Sequence, residues 1–181
     1  SAPMNYFEAF GLPKLLDIDL KGLERTFHEL SRKYHPDYFT TAPAHERQHA
    51  LQMTATLNDA YRTLRHPVRR AEYLLQIEGF KPDGSKVPQS FLMEVFEINE
   101  QLEEVKSGAA SPEQVASLRR EIEERAESFE AQLQAAAVEW DKLIVSGAPE
   151  TQRNQQLTRL TEILSESSYI RNLQRELEET E

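Results

Sequence analysis

Cysteine is absent from the 181 residues, which excludes disulfides, thiol nucleophiles, cysteine-based zinc sites and thiolate-bound iron–sulfur clusters. A reducing compartment is compatible with that absence. No apolar run approaches the ~20 residues a membrane-spanning helix needs, and no secretory hydrophobic segment follows the N-terminus. Glycine occurs 6 times and proline 9, modest numbers that argue against disorder as the state of the whole chain. Strand-like alternation is missing, as is a Walker-type phosphate loop. Positive charge is also short: 21 Lys and Arg stand against 31 Asp and Glu, a net charge of −10. Through Glu78 the balance is 10 against 10, and from Gly79 onward it is 11 against 21. The asymmetry points to two functional halves, the second of which repels nucleic acid. Ser1-Ala2-Pro3 precede Met4, the residue a start codon supplies, and read as a vector-derived remnant.

What remains is helical punctuation and periodicity. Asn5 to Phe10 is a short segment anchored by Tyr6, Phe7 and Phe10 and ended by Gly11-Leu12-Pro13. Asp19 suits an N-cap, after which Leu20, Leu23, Phe27, Leu30 and Tyr34 share one helical sector. Lys21, Arg25, His28 and Arg32 fall opposite, with Glu24 and Glu29 at the flanks. A mostly basic face suits an anionic partner, and it suits an ordinary solvated helix equally well.

Next comes His35-Pro36-Asp37. Proline has a fixed φ, lacks an amide hydrogen and pushes the residue before it toward extended geometry, so the helix must stop near Tyr34. The imidazole and carboxylate are then presented on a tight exposed loop beside a cationic helix. Ala50, Met53, Leu57, Ala60, Tyr61 and Leu64 form the next stripe, which predicts an antiparallel helix hairpin. Pro67 opens a further helix with Ala71, Leu74 and Leu75 inward, and Gly79 stops it.

Phe80 to Val87, with Pro82, Gly84 and Ser85, reads as a linker. Three helices follow. The first runs from about Pro88 to Lys106. Ser111-Pro112-Glu113-Gln114 opens the second with capping-box spacing and proline at the first helical position. Its stripe of Val115, Leu118, Ile122, Ala126, Phe129, Leu133, Ala136, Trp140 and Leu143 is that of a bundle or coiled coil. The third begins near Pro149 with Leu157, Leu160 and Leu164 inward. Beyond Ser167-Ser168 its stripe changes phase to Ile170, Leu173 and Leu177, which predicts a bend there. The expected organisation is residues 1–79, a linker at 80–87, and a three-helix bundle at 88–181.

In the helix from Pro88, the sector of Phe91, Val95, Ile98, Leu102 and Val105 suffices for bundle packing. Leu92, Met93 and Phe96 point elsewhere, together with Glu100, Glu103 and Glu104, with Glu97 at the margin. Large apolar groups among carboxylates and off the core sector suggest a binding patch with an acidic rim. Packing under a neighbouring element is the alternative, Leu92 being nearest the core sector.

The basic helix, His35-Pro36-Asp37, and the run Asn58-Asp59-Ala60-Tyr61-Arg62-Thr63-Leu64 leading to Pro67, Arg70 and Tyr73 together resemble a J-domain. The stretch from Thr63 to Leu75 and the later Phe91-Leu92-Met93-Glu94 narrow the likeness to the HscB family, J-type co-chaperones of iron–sulfur cluster assembly, over essentially the full chain. The resemblance implies an all-α protein, an N-terminal J-domain (an antiparallel helix hairpin with short flanking helices) followed by a C-terminal three-helix bundle. It implies docking on a DnaK-type chaperone, HscA-like, whose ATP hydrolysis is stimulated through His35, Pro36 and Asp37, with Lys21, Arg25 and Arg32 supplying electrostatic attachment. It further implies that Leu92, Met93, Phe96, Glu97, Glu100 and Glu104, joined by Tyr169 from the last helix, bind the cluster scaffold IscU. No cofactor is expected; without cysteine, neither the zinc module of some eukaryotic relatives nor a cluster held by the chain itself is expected. The bacterial cytoplasm is the expected location, with the mitochondrial matrix as the alternative.

Other classes fit less well. His35 with Asp37, or Glu103 with Glu104, would be acid–base pairs for an enzyme, but no nucleophile, metal set or apolar cleft accompanies them. His45 and His49 have i, i+4 spacing yet lie on a polar helix, where bystanders are the rule. A different client, or an oligomerisation role for the bundle, is the remaining alternative.

Overall fold

The computed structural model describes residues 4–83 and 86–180. Ser1-Ala2-Pro3, read as a remnant, and Gly84 and Ser85 of the expected linker lie outside the described residues. Those described are all-α, with helices α1 (Tyr6–Ala9), α2 (Leu20–Lys33), α3 (Ala44–Leu64), α4 (Pro67–Ile77), α5 (Gln89–Lys106), α6 (Pro112–Ser146) and α7 (Glu150–Thr180). A short 3-10 turn, Pro36–Phe39, stands between α2 and α3. The chain divides into two compact units, Ser1–Gly79 with Trp140–Ala148, and Phe80–Glu139 with Pro149–Glu181.

In the first unit the caps are chemical. The Asn5 side chain accepts the Glu8 amide at 2.8 Å, and Asp19 accepts the Lys21 amide at 3.1 Å. α2 ends at Lys33, one residue short of Tyr34, as a following His-Pro pair requires. α2 and α3 run antiparallel, because pairing descends along α3 as it ascends along α2. Phe27 stacks on Tyr61 with centroids 4.3 Å apart, and the Tyr34 carbonyl accepts the Thr54 hydroxyl at 3.2 Å. Leu23, Ala50, Leu57, Ala60, Leu64, Ala71, Leu74 and Leu75 are buried, together with Phe7 from α1. Leu20, expected in that stripe, is 47% exposed. It is the first residue of α2, and the buried face begins only at Leu23.

The segment between α1 and α2 has almost no secondary structure, and polar groups far away in the chain hold it. Arg70, only 4% exposed, donates to the carbonyls of Leu16 at 2.7 Å and Leu64 at 2.8 Å. The Asp141 carboxylate accepts the amides of Leu16 at 2.7 Å and Asp17 at 2.9 Å, and the Trp140 indole donates to the Lys14 carbonyl at 2.8 Å. Burial pulls the Arg70 guanidinium below its ordinary pKa, and the charges of Asp17 and Asp141 oppose that shift. Trp140, expected to line the bundle, therefore belongs to the first unit.

In the second unit the capping box forms in both directions. The Gln114 amide donates to Ser111 Oγ at 3.2 Å, and the Ser111 amide donates to Gln114 Oε1 at 2.7 Å. Val87, Phe91, Val95, Ile98 and Leu102 meet Leu118 and Ile122 of α6 and Ile170, Leu173 and Leu177 of α7 in one core. α7 is a single helix through Ser167-Ser168, where a bend was expected. The change of phase disappears because Ser167 is itself buried and continues the stripe, its hydroxyl donating to the Leu164 carbonyl at 3.2 Å. Gly108 closes α5 at φ +79°, with open space where a Cβ would lie. Gly108→Ala therefore costs backbone strain alone, about 1–2 kcal/mol. Thermal unfolding checks it, with a Tm lower by about 2–4 °C per kcal/mol.

Candidate functional site

Two surfaces collect the residues singled out by sequence. On the first, His35 adopts extended geometry, φ −61° and ψ 131°, and acts as N-cap of the 3-10 turn, with Pro36 at its first position. The Asp37 amide donates to His35 Nδ1 at 3.2 Å, and the Tyr38 amide donates to the His35 carbonyl at 3.0 Å. Asp37 Oδ2 lies 3.6 Å from that same Nδ1. The Asp37 side chain is 85% exposed. The turn thus presents a carboxylate and an imidazole side by side on the surface.

Lys21, Arg25 and Arg32 are exposed on α2, at the end of which this turn begins. Arg25 reaches Asp19 only at 3.9 Å, and His28 lies 3.7 Å from Glu24, so these contacts leave the face predominantly cationic. Tyr38 follows the tripeptide, 73% exposed, with its ring edge-on to His35 at 6.3 Å. Sequence reasoning passed over it, although its place directly after the tripeptide was a signal.

On the second surface, Leu92 is 37%, Met93 55% and Phe96 57% exposed, while Phe91 and Val95 beside them are buried. α5 alternates in this way because its core sector needs only one residue in three or four. Glu97, Glu100 and Glu104 are exposed along the same side. Other carboxylates of α5 are engaged: Glu94 by Arg125 at 2.8 Å, and Glu103 by Lys106 at 3.5 Å. Tyr169 is placed differently from the rest. It is half-buried against the bundle core, its ring edge-on to Phe91 at 6.1 Å.

Among the described residues, no group of three or more His, Asp and Glu side chains is placed to hold a metal ion, and no helix is long and apolar enough to cross a membrane. His45 and His49 are exposed, with His49 edge-on to Tyr34 at 5.9 Å. Sequence reasoning also gave no role to Arg70 and none to Asp141. An arginine directly before Ala71 on the inward side of α4 was a signal for the first; nothing local marks the second.

Known proteins resemble both halves. A family model described as the HSCB C-terminal oligomerisation domain matches residues 87–178. Co-chaperone protein HscB homologs from two strains of Vibrio cholerae are 44% identical over 113 residues, 61% of this chain and 66% of theirs. That match thus spans just under two thirds of those relatives' length. The solved structure of chaperone HscB from Vibrio cholerae is 34% identical, covers 97% of this chain and 96% of its own, and superposes with a TM-score of 0.66. The crystal structure of human co-chaperone protein HscB, at 23% identity, shares the fold, with a TM-score of 0.73 over 98% of this chain and 82% of its own. With an N-terminal J-domain ahead of a C-terminal helical bundle, the chain belongs to the HscB family of co-chaperones.

Proposed function

We propose that this co-chaperone docks on a DnaK-type, HscA-like chaperone through its J-domain, stimulates ATP hydrolysis there, and delivers the iron–sulfur scaffold IscU for cluster transfer. ATP is bound and hydrolysed by the partner, and this chain is not an enzyme. One observation carries the reading: the capped His35-Pro36-Asp37 turn presents its imidazole and carboxylate to solvent at the end of an exposed cationic helix. Charges so arranged steer encounter and set register more than they add affinity, which is what repeated, reversible docking requires. The three exposed apolar side chains on α5, set among carboxylates, have the chemistry of an interface core with a polar rim. The bacterial cytoplasm suits both roles.

Titrating the chain into the purified chaperone should raise its steady-state ATPase rate, more at low salt than at high. Calorimetric titration with purified scaffold should give saturable one-to-one binding. Leu92→Ala with Phe96→Ala should weaken that binding at least roughly tenfold, since apolar anchors dominate such interfaces. The same pair should cost less than about 1 kcal/mol of stability, as exposed positions do. A large fall in melting temperature instead makes them core residues.

A second reading has one observation in its favour, the description of the matching family model as an oligomerisation domain. Sedimentation at micromolar concentration decides it. A monomer that still binds scaffold removes the oligomer from the account.

A further inference from the structure

Beyond Glu104 the exposed side of α5 does not end on a flat surface. It opens into a depression of about 200 Å³ where the last turn of α5 meets the first turns of α6. Val105 and Ala110 form its apolar part above the buried Leu118, and Gln101, Glu104, Gln114 and Ser117 bring polar groups to it. Gln114 is held in place, because its Oε1 accepts the Ser111 amide at 2.7 Å. Among the described residues, Glu104 alone brings a formal charge to the lining, and Lys106 is drawn to Glu103 at 3.5 Å and Glu176 at 3.4 Å.

We propose that this depression is an anchor pocket that takes a lysine or arginine side chain of the protein bound on the α5 face. The proposal rests on the scaffold-docking reading above. Long basic side chains pair an aliphatic stem with a charged head, and the pocket has the complementary order: apolar surface at Val105 and Ala110, a carboxylate at Glu104. The pocket is continuous with the proposed interface, since Glu104 belongs to both. Charge complementarity favours a cation as well, because Glu97 and Glu100 precede Glu104 on the exposed side of the helix.

The test is calorimetric titration of the full chain with purified scaffold, using exposed pocket positions whose substitution leaves the core intact. Ser117→Phe fills the pocket and should weaken binding roughly tenfold, the scale of losing one buried anchor. Gln101→Lys should also weaken it, Gln101→Glu should not, and the difference between them should shrink as salt rises. Circular dichroism and melting should match wild type in all three variants. Wild-type affinity in Ser117→Phe, with Leu92→Ala and Phe96→Ala still disruptive, overturns the pocket and leaves the docking face standing. Equal affinities for the two Gln101 variants overturn a cationic occupant. Absence of scaffold binding by the wild-type chain overturns the docking reading and this proposal with it. A dimer that Ser117→Phe dissociates while scaffold binding is untouched gives the pocket to a second copy, and overturns the proposal too.

Discussion

Asp37→Asn should leave helical circular dichroism unchanged and abolish stimulation of the partner chaperone's ATPase. The substitution is nearly isosteric, and the cap that shapes the turn uses the Asp37 backbone amide, donated to His35 Nδ1 at 3.2 Å, which asparagine retains. What is lost is the negative charge on a side chain 85% exposed to solvent. Truncating one partner of a charge pair that becomes buried on docking costs about 2–5 kcal/mol, or roughly thirty-fold and more in affinity. ATPase rates measured across a titration of variant and wild type separate weaker docking from a failure to stimulate when bound. Scaffold binding should be unaffected, because the two surfaces use different residues. Stimulation retained at the wild-type level would refute the assignment of the turn.

The second large effect concerns stability. Arg70→Ala removes a buried guanidinium that donates to Leu16 and Leu64 carbonyls, and takes away the positive charge facing Asp17 and Asp141. Leaving the Leu16 and Leu64 carbonyls without their buried donor costs about 1–3 kcal/mol apiece, because each keeps its desolvation penalty without its partner. Against a typical total of about 5–15 kcal/mol, the two together are a large share. Urea denaturation should show a lower midpoint for the J-domain transition. Arg70→Lys should fall between, keeping the charge and losing the fork that reaches two carbonyls at once. A loss under about 1 kcal/mol for Arg70→Ala means that Asp141 and Trp140 hold the α1–α2 segment without it.

Much of the architecture could be read from short-range chemistry. The end of α2 beside Tyr34, the extended His35, the reciprocal bonds of Ser111 and Gln114, and the inward faces of α3, α4 and α5 all depend on residues within four positions of one another. Proline's fixed φ, a cap's reach and the helical repeat act over that distance, so they are written directly in the residue order. The tripeptide turn and the apolar group of Leu92, Met93 and Phe96 were visible for the same reason.

Other features needed the fold. Leu20 has the right spacing for the α2 stripe, and only packing shows that the buried face starts one turn later. The α7 stripe changes phase at Ser167 only if polar serine is left out of it, whereas a hydroxyl bonded to the Leu164 carbonyl is cheap to bury and keeps the stripe whole. Tyr169 carries a polar tip, yet the ring lies against Phe91 and the bundle core.

The clearest case is the segment from Lys14 to Asp17, whose partners Arg70, Trp140 and Asp141 lie 54 to 126 residues further on. No local periodicity carries such a pairing. Buried backbone amides and carbonyls must find partners wherever the completed fold brings them, and the price of leaving them unpaired selects an arginine, a tryptophan and an aspartate whose roles exist only in three dimensions.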